Sequence, residues 1–394
     1  MRAEQGTDWP VVTYEAAQWT PSDFGSRRDR GFGSYQSAVT PAISAEQPDV
    51  PIALAALLDE ASTEIVRFDA EMGGEIAPFS AALLRTESAS SSEIEQVTAS
   101  AKAIALAELG DRSRRNATEI VGNTRAMQAA VRLSDRLDTE TILEMHLALL
   151  GDDNPRIPGG RWRDGAVWIG GRTPHSAEFV PPQHHRVLPA ITDLIDFIAR
   201  DDIPVLLQAA VAHAQFETIH PFPDGNGRTG RALIHALLRG KGLTQNITVP
   251  ISAGLLTAPD DYFNALTAYR AGDLRPICRS FADATFDAVA NGRRLVLELR
   301  SIREGWAEAH PVRRGSAADK ILQALARQPV IDASFAQREL GISATASRRA
   351  LADLEAAGIV TEFSGMRRNR CWRSDAVLEA LDAFADRAGR RALH

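Results

Sequence analysis

The chain has 394 residues, 44% of them hydrophobic and 24% charged, with a formal net charge of −7. That length predicts two or three domains, and the apolar content is enough for substantial cores. The acidic balance argues against nucleic-acid binding by the whole surface and leaves room for a local basic patch. No run of eighteen uncharged apolar residues occurs, so no membrane span is expected. The N-terminal stretch, with Glu4, Asp8 and Trp9, lacks the pattern of a signal peptide. The two cysteines, Cys278 and Cys371, fall in segments assigned to different domains and have no partner at metal-site spacing. That usage points to a reduced, cytoplasmic setting.

Residues 1–50 lack periodicity and are interrupted by Ser22, Gly25, Ser26, Gly31, Gly33 and Ser34. They read as an irregular arm that packs over the next domain through Trp9, Trp19 and Tyr35. Arg27, Arg28 and Arg30 read as a solvated cluster. Residues 51–137 are rich in Ala, Leu and Glu with few breakers, which predicts a helical domain. Inside it, Ser90-Ser91-Ser92-Glu93-Ile94-Glu95-Gln96 reads as a helix N-terminus with a capping pattern from Ser92 to Glu95.

Residues 138–292 read as the core domain. The stretch from Thr139 to Leu150 is amphipathic, with Ile142, His146 and Leu149 on one stripe, and His146 reads as a packed or capping histidine. From Pro158 to Gly171, turn residues flank a β-prone run, Ala166-Val167-Trp168-Ile169, with a second run at Phe179-Val180. That spacing predicts a β-hairpin. His184-His185 has no third ligand at useful spacing and reads as surface at a helix start. The stretch from Pro204 to Ile219 predicts a helix, because Pro204 suits a first turn and Leu207, Val211 and Ala214 recur at helical spacing.

The next twelve residues, His220-Pro221-Phe222-Pro223-Asp224-Gly225-Asn226-Gly227-Arg228-Thr229-Gly230-Arg231, concentrate chemistry. Asn226-Gly227 sits where a helix can begin, so main-chain N–H groups and the positive dipole end would face an anion. Gly225 and Gly227 let main chain approach a phosphate. Asp224 is a hard oxygen ligand suited to Mg²⁺. Arg228 and Arg231, three apart, share a helical face and can grip separate phosphate oxygens. His220 can take a proton from an attacking hydroxyl. The same run holds G-x-G-x-x-G at Gly225, Gly227 and Gly230. A dinucleotide fold is rejected, because that fingerprint should follow a strand and here follows a helix. No P-loop pattern occurs.

Every fixed position of H-x-F-x-[DE]-G-N-G-R-x-x-R is matched, and the segment resembles the signature of the Fic family. The resemblance implies a mainly α fold: a helical Fic core with a β-hairpin flap. It implies transfer of AMP from ATP, with Mg²⁺, to a Ser, Thr or Tyr hydroxyl of a protein, the chain itself included. His220 would be the base and Asp224 would hold Mg²⁺ against the α- and β-phosphates. Gly225, Asn226, Gly227 and Arg228 would cradle phosphates, and Arg231 would bind the outermost one. Phe222 would plug the core. The Ser91–Glu95 stretch resembles the family's inhibitory motif [ST]-x-x-x-E-[GN], in which the glutamate pairs with the second signature arginine, here Arg231. Gln96 departs from the usual Gly or Asn. The hairpin around Val167, Trp168, Ile169 and Gly170 resembles the family's flap, which docks a target segment as an added strand. A homodimer is left open.

The stretch from Asp260 to Ala271 predicts another helix. With Gly272 to Pro276 it resembles the segment closing the nucleotide pocket, where Tyr262 either meets adenine or packs in the core. Residues 293–312 read as a charged helical connector. Residues 313–380 then give helices from Ala317 to Arg327, Phe335 to Leu340 and Ser343 to Ala357, a strand from Gly358 and a basic turn at Arg367-Arg368-Asn369-Arg370. That order resembles a winged helix-turn-helix. Arg348, Arg349, Arg367, Arg368 and Arg370 would contact DNA phosphate, or the module would serve a protein partner. Residues 381–394 read as a tail. Two rivals stand beside the transferase: removal of AMP by the same site with Glu95 orienting water, and a DNA-binding regulator with a nucleotide-sensing core.

Overall fold

The computed structural model describes residues 9–19, 33–72, 76–151, 157–364 and 370–389. The fold is mainly α with a few short strands. It begins with β1 (Thr13–Trp19), β2 (Gly33–Val39), α1 (Ile52–Glu71), α2 (Ile76–Ile94), α3 (Ala101–Glu108) and α4 (Arg115–Arg132). The middle holds α5 (Thr139–Leu150), α6 (Val187–Ala199), α7 (Val205–Ile219), α8 (Asn226–Gly240), α9 (Ile251–Leu255) and α10 (Pro259–Arg270). Then follow α11 (Arg275–Ala309), α12 (Ala317–Leu325), β3 (Val330–Asp332), α13 (Ala333–Leu340) and α14 (Ala344–Ala356). The chain closes with β4 (Thr361–Glu362), β5 (Cys371–Arg373) and α15 (Asp375–Gly389). No helix among the described residues is long and apolar enough to cross a membrane.

Two compact units form. The first takes residues 1–63, 125–243 and 259–283; the second takes 64–124, 244–258 and 284–394. The boundaries expected at 51, 138 and 293 therefore do not mark their edges, and the helical segment 51–137 is divided between them.

In the first unit α7 is the central helix. Every residue from Leu206 to Ile219 is buried, as expected of a helix apolar on most of its circumference. It packs against α6, α8 and α10. Gly230 of α8 permits the close approach to α7: a Cβ there would meet a Phe216 ring carbon at 2.9 Å. The arm differs from expectation, since β1 and β2 pair antiparallel from Thr13↔Val39 to Trp19↔Gly33. Its aromatics pack on the core segment rather than on residues 51–137. Trp9 meets Phe197 and Tyr269, Trp19 meets Trp168, and the Gln183 amide donates to the Tyr35 hydroxyl. Arg27, Arg28 and Arg30 lie outside the described residues.

In the second unit α2 packs against α9 and α15. The buried Glu87 carboxylate accepts from the main-chain N–H and hydroxyl of Ser252 at the start of α9. Ser90-Ser91-Ser92 is not a helix start but the end of α2. Ser88 and Ser92 donate back to the carbonyls of Leu84 and Ser88, each at 2.8 Å. Serine tolerates a helix interior when its hydroxyl finds such an acceptor. The chain leaves α2 through Gln96 at φ 63°. That left-handed position favours Gly or Asn, which gives a physical reason for the [GN] preference from which Gln96 departs.

Farther on, the expected connector is the C-terminal half of α11, a single helix of 35 residues. The three helices expected beyond Pro311 are α12, α13 and α14, N-capped by Ser316, Asp332 and Ser343. Three short strands form a sheet in the order β3-β5-β4. Gln328 ties these elements to the helices before them: it accepts from Arg85 of α2 and donates to the Ala105 carbonyl of α3. The expected tail at 381–394 instead contributes to α15, which buries Val377, Leu378, Leu381 and Phe384.

Candidate active site

Helix α7 ends because His220 turns left-handed, at φ 50° and ψ 62°. Its N–H still donates to the Phe216 carbonyl at 2.9 Å. The imidazole Nδ1 stands 3.9 Å from Glu217 Oε2, beyond hydrogen-bond range. Burial first, then the charges of Arg163 and Arg270, push its pKa down to about 3, against the opposing pull of Asp224. His220 is thus a neutral imidazole near pH 7, the form that can accept a proton.

The turn after His220 is held by one ring and one amide. Phe222 is 0% exposed and stacks on His146 at 3.7 Å and on Trp162 at 5.0 Å between ring centroids. Its N–H donates to Asn226 Oδ1 and its carbonyl accepts from Asn226 Nδ2, both at 2.8 Å. His146 adds a brace. It accepts from Gly160 N–H at Nδ1 (2.9 Å), so Nε2 carries the proton donated to the Asp224 carbonyl at 3.1 Å. The expectation of a packed or capping histidine fits this geometry. Gly225, at φ 79°, sits where a Cβ would meet Leu149 at 2.8 Å, so both conformation and space require glycine there.

Helix α8 starts at Asn226, with no side-chain cap at Gly225. An uncapped start is the arrangement that receives anions. Asp224 stands at its mouth with a side chain 53% exposed, and Arg228 Nη2 approaches its Oδ1 at 3.5 Å. Arg228 and Arg231 are both buried, at 5% and 1%. An outward carboxylate next to an uncapped helix start has the chemistry that suits Mg²⁺, which takes one or two protein carboxylates and fills its shell with phosphate and water. No group of three or more His, Cys, Asp or Glu side chains that could hold a metal ion occurs among the described residues.

Tyr262 is 1% exposed, with its hydroxyl 2.8 Å from His213 Nε2, which is the core-packing alternative. At the expected hairpin the structure has a single bridge, Ile169↔Phe179, because two left-handed glycines, Gly170 and Gly171, break extension after Ile169. Val167, Trp168 and Ile169 are half-buried and Gly170 is exposed. Ser91 and Glu95 belong to the second unit, Ser91 buried and Glu95 exposed just past α2. Arg348 and Arg349 are exposed on α14. Arg370 lies over the Trp372 ring and 3.6 Å from Glu362; Arg367 and Arg368 lie outside the described residues. The adjoining His184 and His185 are exposed.

Sequence reasoning missed Arg163. Its Nε donates to the His220 carbonyl at 2.8 Å, and it is 4% exposed. The available signal was an arginine flanked by Trp162 and glycine turns, which marks no partner.

Burial also lowers His146 to about 4 and His213 to about 3. Both stay neutral when folded but titrate near 6.5 when unfolded. The unfolded chain therefore gains protons first, so stability is full above about pH 6.5 and falls as pH drops toward those values. Each should cost about 2 kcal/mol by pH 5. Thermal midpoints measured from pH 7.5 to 5 should fall accordingly, and less steeply for His213→Gln. A flat midpoint over that range would exclude neutral buried histidines.

Residues 136–238 match the Fic/DOC family. The chain is 31% identical over 183 residues to protein adenylyltransferase fic-1 of Caenorhabditis elegans, covering 43% of this chain and 32% of that protein. It is 31% identical over 170 residues to protein adenylyltransferase Fic of Drosophila willistoni, covering 42% of this chain and 32% of that one. The chain thus spans about a third of the length of these curated relatives. A crystal structure of a Fic family protein from Desulfovibrio desulfuricans shares the fold, with TM-score 0.52, 22% identity, and coverage of 83% of this chain and 98% of that one.

Proposed function

We propose that this chain, whose residues 136–238 match the Fic/DOC family, transfers AMP from Mg–ATP to a Ser, Thr or Tyr hydroxyl of a protein. The observation that carries this reading is the His220–Arg231 turn. A neutral imidazole is followed within a few residues by an exposed carboxylate, an uncapped helix start and two buried arginines. In the step itself the target oxygen attacks the α-phosphorus and its proton passes to His220. The bond from the α-phosphorus to the bridging oxygen breaks, and pyrophosphate leaves. Asp224 would hold the Mg²⁺, which would supply neutralisation of phosphate charge. Asn226, Gly227 and Arg228 grip the phosphates, and Arg231 receives the outermost one. Positioning, charge stabilisation and one base account for the rate.

Glu95 acts as the brake in this reading. It competes with the γ-phosphate for Arg231, so ATP binds in a pose from which transfer does not occur. The support is the match of Ser91 and Glu95 to the inhibitory motif, and the left-handed Gln96 at the position where that motif carries Gly or Asn.

The test uses ATP labelled on the α-phosphate, with a γ-labelled control, and full-length protein incubated with and without cell lysate. Glu95→Gly should raise labelling on the order of tenfold or more, the change that ~1.4 kcal/mol in productive binding produces. The γ-label should not transfer. Labelling that is stronger in wild type than in Glu95→Gly would reverse the role of Glu95. Release of AMP from a pre-labelled protein, lost in Glu95→Gly, would assign AMP removal instead.

A further inference from the structure

Arg163 is 4% exposed, and its hydrogen bonds go to main-chain carbonyls rather than to a carboxylate. Nε donates to His220 O at 2.8 Å and Nη1 to Gly165 O at 3.0 Å. Nη2 donates to Pro182 O at 2.5 Å and, at a longer 3.4 Å, to Ile219 O. Its own N–H donates to Pro221 O at 3.0 Å. Three consecutive carbonyls, those of residues 219, 220 and 221, thus face one residue. Burying a guanidinium without a counter-charge is costly, and burial lowers this one to about 10. An apolar side chain would avoid that cost. What only a planar fork supplies is several donors in fixed directions. They converge where α7 stops and His220 adopts a left-handed conformation, which a residue with a Cβ holds only when its surroundings enforce it.

We propose that Arg163 is a positioning residue for the transfer step: its fork clamps the main chain of His220, and so sets where the imidazole stands relative to the start of α8. The proposal rests on His220 being the base. Arg163 does not touch the reacting atoms; it acts through His220 and through the Pro182 and Gly165 carbonyls that flank the flap segment. The groups facing His220 are Arg163, Arg270, Glu217 and Asp224. Of these, Arg163 and Arg270 weigh against protonation, which gives the proposal a second readout.

Two full-length variants separate geometry from charge, each in a Glu95→Gly background with Mg²⁺ and α-labelled ATP. Arg163→Lys keeps the charge and loses the fork. Its kcat should fall on the order of tenfold to a hundredfold, as expected of a misplaced catalytic group, with KM for ATP within about twofold and the acid limb of the pH profile unmoved. Arg163→Met loses both, so its acid limb should also move toward neutral pH. The His220 resonance in ¹⁵N-labelled, ATP-free protein should shift in both. Arg163→Lys with undiminished kcat, or an unshifted His220 resonance, overturns the proposal. A lowered thermal midpoint with kcat intact at 20 °C also overturns it, leaving only a structural role. If Arg163→Met fails to fold, Arg163→Lys decides. If His220→Ala keeps full transfer, the base assignment falls, whereas the His220 resonance in Arg163→Lys still decides whether Arg163 positions that residue.

Discussion

His220→Ala in a Glu95→Gly background should lose about 10²- to 10⁴-fold in AMP transfer, the usual worth of one positioned base, with fold and ATP binding preserved. The imidazole is poised for that role because burial and two guanidinium charges hold it to about 3. A base works in its unprotonated form, so activity should stay level from pH 8 down to 5 and decline only below that. An ordinary histidine would place the decline near 6.5. Removing the ring should cost little stability, because its side chain is 19% exposed and its Nδ1 makes no hydrogen bond among the described residues. Alanine must still occupy φ 50°, so His220→Asn, better suited to that conformation, is the second variant. Both should bind ATP with the affinity of the Glu95→Gly parent. Transfer within threefold of that parent in either variant would remove His220 from the chemistry.

The legibility of this site follows from how local its parts are. His220, Asp224, Asn226 and Arg228 lie within one turn and the start of one helix, so their spacing in the chain is close to their spacing in the fold. Helix α7 was legible from Pro204 and the recurrence of apolar residues, although burial of nearly its whole circumference is a tertiary fact. Arg163 was not legible, because its acceptors are carbonyls at residues 165, 182, 219 and 220, and any residue type offers a carbonyl. Tyr262 has two readings in the sequence, nucleotide contact and core packing, and helical period alone does not separate them; its burial and its bond to His213 are tertiary facts.

Misreadings elsewhere have specific causes. Serines followed by acids suit a helix start by local competition for N–H groups. In α2 Ser92, like Ser88 before it, is satisfied by a carbonyl one turn back, and Asn123 donates to Ser88 O and Ser92 Oγ. The pattern was local, while the deciding partner came from 31 and 35 residues away. The arm looked irregular because β1 and β2 each lack a strong alternation and become strands only against one another. Helix α15 has Val377, Leu378, Leu381 and Phe384 at helical spacing. It is readable from period alone, and the boundary expected at residue 380 cuts through it.

Phe222→Ala should be the most destabilising change at the site, costing about 3–5 kcal/mol as a large aromatic lost from a packed core. The ring is 0% exposed, lies between His146 and Trp162, and leans on Phe216 at 6.4 Å. Neither His146 nor Phe216 can follow it inward. His146 is held at both nitrogens, and Phe216 belongs to the buried central helix. A cavity that cannot collapse keeps the full penalty. Loosening His146 also loosens its donation to the Asp224 carbonyl, so the effect should reach the carboxylate that would hold the metal. Phe222→Leu refills part of the volume without the stack and should cost about 1–2 kcal/mol. The chain has two units, and the turn belongs to the first. The measurement is therefore hydrogen exchange of residues 220–232 alongside the thermal midpoint. Phe222→Ala should lose protection there first, and its transfer activity should fall more steeply with temperature than that of the parent, because the damage lies in holding the turn together. His220→Ala should show the opposite pair, normal protection and no transfer at any temperature. If Phe222→Ala cost less than about 1 kcal/mol and left exchange unchanged, the turn would be held by Asn226 and His146 alone.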